Sequence, residues 1–129
     1  AGQVTRLRPL RDPTRGGLVA SLAEFASASA VGIALDETSI PVSAGTRTAC
    51  ELLGLDPLGL ASEGRFVTIV DASAAERTLA VMSERPECPA PAIIGRITAE
   101  HPGRLVLKTR VGGQRVLDRT EGEALPRIC

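Results

Sequence analysis

The sequence predicts an α/β fold in which a mixed β-sheet is layered with helices. Three observations lead there. Between residues 11 and 84, runs with helical apolar spacing alternate with short β-branched runs. The last third of the chain holds three strand-length runs in succession, and the pair Gly112-Gly113 separates two of them, a strong hairpin signal. Strands alternating with helices favour parallel neighbours and a closing run of strands favours antiparallel ones, so the sheet should contain both.

The elements follow in order. "RDPTRGGLVASLAEFASAS" reads as a helix with Asp12 as N-cap and Pro13 at the first helical position, the residue types that suit a helix start. Leu18, Leu22, Phe25, Ala26 and Ser29 then share one face. "VGIALD" is a short strand. "GTRTACELLGLD" is a second helix, expected to turn Ala49, Leu52 and Leu53 inward and to end at Gly54. "GRFVTIVD", rich in β-branched residues, reads as a central strand with little exposure. In "SAAERTLAVMSE" Ser73 precedes Glu76 by three positions, the capping-box spacing of a third helix. "SERPECPAPA" is a stiff surface connection, "PAIIGRIT", "RLVLKTRV" and "QRVLDR" are strands, and "EHPG" is the turn before the last two.

At 129 residues the chain has the size of one domain able to bury a core without disulfides or metal. Basic and acidic residues number 15 each, so no long-range field draws it toward nucleic acid or an anionic membrane. No apolar run approaches the roughly 18 residues of a membrane span, and "AGQVTRLRPLRDP" lacks the layout of a secretory signal, so a soluble, cytoplasmic protein is expected. Cys50, Cys88 and Cys129 are widely spaced and odd in number, which points to free thiols rather than a disulfide framework or zinc site. The domain is expected over residues 1–118. From Arg119 the periodicity is lost, and the eleven residues 119–129 read as a flexible tail that could reach about 36 Å at roughly 3.3 Å per residue.

"RDPTRGGL", "ACELLGLDPLGLASEGRFV", "AIIGRIT" with "HPGRLVLKT", "GGQRVLD" and the terminal "LPRIC" together resemble the C-terminal domain of the HypE family. Those carbamoyl dehydratases make the cyanide ligands of nickel–iron hydrogenases. The resemblance covers about Leu10 to Cys129, and "PRIC" is its most specific element. The wider superfamily includes aminoimidazole ribonucleotide synthetase and selenophosphate synthetase, which share a glycine-bearing turn into a helix where this chain has "DPTRGG". A complete member also has an N-terminal domain that supplies most of the nucleotide site and the dimer contact, and nothing in these residues corresponds to it.

The resemblance implies a reaction. A carbamoyl group is transferred to the Cys129 thiol, ATP phosphorylates its carbonyl oxygen, and loss of phosphate with removal of the nitrogen protons leaves a thiocyanate. A thiol that visits a donor enzyme, its own ATP site and an acceptor suits the end of a mobile tail. The terminal carboxylate beside it opposes thiolate formation and Arg127 favours it. Glu63, in "ASEGR", matches the family at the position of the base; a carboxylate at the start of a buried strand beside a glycine can be desolvated, although the same residue also reads as a surface-loop carboxylate. Asp12, Thr14, Gly16 and Gly17 form a second cluster, where a helix start can hold phosphate, unless Asp12 merely caps and Arg15 is merely solvated.

The implied cofactors are ATP and Mg2+, bound mainly by the N-terminal domain, and no metal site is expected in this chain. The implied partners are a carbamoyltransferase, an iron-carrying hydrogenase maturation scaffold, and the N-terminal nucleotide-binding domain of the same protein. Neither nucleic acid nor membrane is expected as a partner, and the full-length protein would be a homodimer. Cys50 and Cys88 read as bystanders and His101 as a turn residue. Two other readings stay open: a non-catalytic interaction module docking through Leu125 and Ile128, and an ATP-binding relative acting on another substrate.

Overall fold

The computed structural model describes residues 8–118 of the chain. In order these form β1 (Arg8–Arg11), α1 (Gly17–Ser29), β2 (Gly32–Asp36), α2 (Ala44–Leu53), β3 (Val67–Ile69), α3 (Ala75–Ser83), β4 (Gly95–Thr98), β5 (Leu105–Lys108) and β6 (Gln114–Leu117). Short 3₁₀ turns lie at Glu37–Ser39, Pro57–Gly59 and Ala72–Ala74. The expected tail, 119–129, lies outside the described residues, and with it Cys129.

The mixed sheet is present, in the strand order β4-β2-β5-β6. β2 runs parallel to β5 and antiparallel to β4, and β5 and β6 form the expected hairpin. The registers Ile33↔Leu105, Leu35↔Leu107 and Leu105↔Leu117 set five apolar side chains on one face, because opposed residues in a sheet point the same way. All five are at most 3% exposed. α1 lies over them with Val19, Leu22, Ala23 and Ala26, whose one-sided spacing is the helical period read from the sequence. Each buried Leu, Ile or Val contributes about 1.5–3 kcal/mol relative to exposure, so this layer is what holds the fold.

Turn chemistry closes the sheet. Thr109 N–H donates to Gly113 O (2.8 Å) and Gly112 N–H to Thr109 O (3.0 Å) between β5 and β6. The "EHPG" turn carries the chain from β4 across the start of β2 to β5, with Gly103 N–H donating to Val31 O (2.9 Å). That crossing runs so close that a Cβ on Gly32 would stand 1.8 Å from Glu100 O. Only glycine fits there.

Four local expectations are corrected. The run 64–71 is not a central strand: Val67–Ile69 is the extended part, it is half-buried, and among the described residues its partner is β1 in a separate two-stranded sheet. β2 and β5 take the two interior places instead, each with two inward residues under α1. The first helix does not start at Pro13 and Asp12 does not cap it, because Gly16 (φ 77) and Gly17 (φ 63) are both left-handed and interrupt any helix entering from upstream. In α2, Gly54 ends the helix as expected and Ser43 caps it, but Cys50 is the inward residue, at 3% exposure. Leu52 and Leu53 are 82% and 70% exposed. The tight return after Gly54, where Leu55 N–H donates to Cys50 O (2.9 Å), brings Leu58 into the core and fixes which side of α2 follows it. Finally, Ser73 lies inside a 3₁₀ turn rather than at an extended cap position, so the Ser73–Glu76 box does not form, and α3 begins at Ala75 with Ala74 at its N-cap and no side-chain cap.

Candidate functional site

Two segments meet at one end of the β1–β3 pair. The register Arg11↔Val67 sets the chain leaving β1 beside the chain entering β3. The first of these is the turn Asp12–Gly16 and the second is Ala61–Phe66. They are joined directly: Ser62 N–H donates to Pro13 O at 2.8 Å. Pro13 is buried, so this bond sits under the turn rather than on its outer surface. Its two residues are each one position away from a predicted site residue, Glu63 on one side and Asp12 and Thr14 on the other. The fold thus brings the two candidate clusters together.

The "DPTRGG" turn has a defined shape. Thr14 N–H donates to Asp12 O (2.8 Å) and Gly17 N–H to Thr14 O (3.1 Å), after which α1 begins with no side chain capping it. Among the described residues no side chain caps its first-turn amides, the condition under which a helix start attracts phosphate. Asp12, Thr14 and Arg15 are exposed, Gly16 is half-buried and Gly17 is buried. Gly17 is a contact point as well as a turn residue. A Cβ there would lie 2.4 Å from Leu60 O, 2.7 Å from Leu58 O and 2.8 Å from the Gly59 carbonyl carbon. α1 can seat on the 57–60 segment only through a bare Cα.

Glu63 lies in an exposed turn with Gly64 (φ 72), four residues before β3 begins. The expected desolvation at the start of a buried strand is absent here, because β3 begins only at Val67 and is half-buried. Any apolar cover for this carboxylate must come from substrate or from protein outside these residues. The shallow apolar groove between α1 and β3, lined by Leu22, Phe25, Ala28, Val67 and Ile69, includes none of the predicted site residues.

Asp56 is a feature that sequence reasoning missed. One carboxylate oxygen accepts from Leu58 N–H (2.9 Å), which caps the 57–59 turn, and the other accepts from Arg115 on β6 at 2.6 Å. The signal was present: "DPLG" repeats the Asp-Pro start of "DPTRGG" and is a turn-initiating pair. Elsewhere, the Thr38 hydroxyl (2.6 Å) and amide (2.9 Å) hold the Asp36 carboxyl below its ordinary value of 3.8. This is a cap on the turn after β2, not a member of the candidate site. Cys50 is buried and Cys88 half-buried. His101 sits in the β4–β5 turn with φ 50, which is the turn role expected of it. Among the described residues no three His, Cys, Asp or Glu side chains gather as a metal-binding group, and no helix is long and apolar enough to cross a membrane.

Relatives carry the same domain. Over 123 residues, 95% of this chain, it is 45% identical to the carbamoyl dehydratase HypE of Rhodobacter capsulatus, and over 126 residues, 98% of the chain, 48% identical to that of Azotobacter vinelandii. It spans only 36% and 37% of the length of those two proteins. A crystal structure of hydrogenase maturation protein HypE superposes on 98% of the chain with a TM-score of 0.88 at 43% identity, covering 41% of that structure. A HypE structure in complex with ATP superposes with a TM-score of 0.83 at 40% identity, covering 90% of this chain and 36% of that one. A HypE–HypF complex gives 0.82 at 36% identity over 88% of this chain and 36% of that one. The family model for the C-terminal domain of AIR synthase related proteins matches residues 4–108. The fold and these matches agree, and the chain belongs to the family of AIR synthase related protein C-terminal domains.

Proposed function

We propose that this chain is the cysteine-bearing domain of a cytoplasmic, ATP-dependent carbamoyl dehydratase that makes cyanide for the iron of nickel–iron hydrogenases. The observation that carries the reading is the Ser62–Pro13 bond, which holds the Glu63 turn against the phosphate-suited start of α1. The 45% and 48% identities to HypE proteins support the same chemistry.

In this reading the Cys129 sulfur carries S–C(=O)NH2, received from a carbamoyltransferase, a partner in keeping with the HypE–HypF complex. The carbonyl oxygen attacks the γ-phosphorus of ATP, ADP leaves, and a nitrogen proton is lost, giving S–C(=NH)–OPO3. Glu63 takes a proton from nitrogen as the C–O bond breaks, phosphate departs, and Cys129 S–C≡N remains. Each step keeps its atoms: one water equivalent leaves the carbamoyl group as oxygen on phosphate and two protons. The "DPTRGG" turn would face the phosphates through the first-turn amides of α1, with Arg15 and Thr14 at its rim. Mg2+ accompanying ATP would find its ligands in the rest of the protein, which also supplies most of the nucleotide site and the homodimer contact. The cyanide then passes to an iron-carrying scaffold.

The test uses the full-length protein that carries this chain. Incubated with the carbamoyltransferase, carbamoyl phosphate and ATP, it should gain mass on Cys129 alone, and Cys129→Ala should gain none. An unchanged mass beside a donor that is active on another acceptor would refute the assignment.

A further inference from the structure

We infer that Asp56 and Arg115 form a positioning pair that couples the strand from which the cysteine-bearing tail departs to the turn that carries Glu63. The inference rests on the function proposed above. Arg115 lies on β6, three residues before the end of the described chain. Its partner Asp56 opens the segment that runs without a break to Glu63. That segment is tied down at three points. At its start Asp56 caps Leu58 N–H with one oxygen and meets Arg115 Nη2 with the other. In its middle the Leu58 and Leu60 carbonyls rest against Gly17, with Leu58 in the core. At its end Ser62 N–H reaches Pro13 O.

The first tie is the one that a side-chain hydrogen bond joins directly to β6. The other two fasten the segment to α1 and to the turn before it. Arg115 also stands opposite Leu107, the last buried residue of β5, so its guanidinium leaves the sheet at the rim of the α1-covered face, where the 57–59 turn crosses. The pair is partly exposed, at 48% and 35% for its two side chains. It should therefore add little to global stability and should be screened by salt. Its consequence is local: it fixes where the tail begins relative to the base.

Two measurements on the full-length protein test this. In hydrogen exchange, Arg115→Gln and Asp56→Asn should each speed exchange of the Ser62 amide about two- to fivefold, the range expected for an exposed ion pair. Asparagine keeps an acceptor for Leu58 N–H, so that effect reports the pair and not the cap. In single-turnover assays the same variants should slow dehydration about two- to fivefold while leaving carbamoyl loading of Cys129 and KM for ATP unchanged. Arg115→Lys should recover most of the rate, and raising salt should bring the wild-type rate down toward that of Arg115→Gln without affecting the variant. Unchanged Ser62 exchange in both variants would overturn the coupling whatever the enzyme does. If exchange changes but loading and dehydration fall equally, or lysine fails to rescue, the pair is structural and the positioning role is wrong. A wild-type protein that loads no carbamoyl group would instead count against the proposed function, and the exchange result would still decide the coupling.

Discussion

The α1-covered sheet and the segment from α2 through α3 are built on different principles. In the sheet, Ile33, Leu35, Leu105, Leu107 and Leu117 are sealed at 3% exposure or less under Val19, Leu22 and Ala26. In the other region α2 buries only Cys50, α3 buries nothing, and β3 has one partner. Beyond Cys50 and Leu58, which reach the core, that region is held by single backbone bonds, a carboxylate with two partners and one glycine contact. Apolar burial specifies the fold and a few directional contacts shape the candidate site. Damage to one should therefore be separable from damage to the other.

The largest effect is expected in the sheet. Leu105→Ala removes a fully buried side chain at the centre of the layer, and it should cost about 2–5 kcal/mol in denaturant unfolding. Leu52→Ala, the same chemical change on the exposed side of α2, should stay within about 0.5 kcal/mol. Equal losses at the two positions would erase the contrast.

Gly17→Ala tests the boundary between the regions. Its Cβ would meet the Leu60 carbonyl at 2.4 Å with φ at 63, so the 57–60 segment must move. A loss of about 1–3 kcal/mol is expected, with shifts in the amide spectrum centred on Leu58 to Ser62 rather than on β5. A variant as stable as the wild type would mean that α1 does not seat through this position.

The smallest effect is a titration. Thr38→Val removes the hydroxyl that does most to lower the Asp36 carboxyl and leaves the amide donor, so the group should move back up toward 3.8 in a carboxyl NMR titration. Because the folded value is depressed, the stability it contributes is present above 3.8 and lost as the pH falls through the folded value. An Asp36 titration unchanged by the substitution would show that the hydroxyl is not the cause.

What could be read from the sequence follows the same division. α1, β2 and the β5–β6 hairpin were legible because burial imposes period and turn chemistry imposes Gly112-Gly113. β1 is not legible, since "RPLR" carries no alternation, and without its partner the run around Val67 looks like a central strand. The inward side of α2 is not legible either, because the Leu52-Leu53 pair outweighs Cys50 in any apolar count, whereas the return through Leu55 and Leu58 sets the orientation. At the site, residue types pointed to Glu63 and to the glycine turn. Their proximity depends on a bond between Ser62 and Pro13 across nearly fifty residues of chain, which no local pattern encodes. Asp56 and Arg115 lie still further apart in sequence and carry no motif that pairs them.

In the function proposed above, Glu63 deprotonates the nitrogen of the carbamoyl-derived group beside the phosphate-suited turn. Single-turnover dehydration by the full-length Glu63→Gln protein, with Cys129 loaded with 13C-carbamoyl and the carbon followed by NMR after ATP is added, tests it most directly. No thiocyanate signal is expected from Glu63→Gln, while the wild type converts to thiocyanate. Conversion by Glu63→Gln at the wild-type rate would contradict that role.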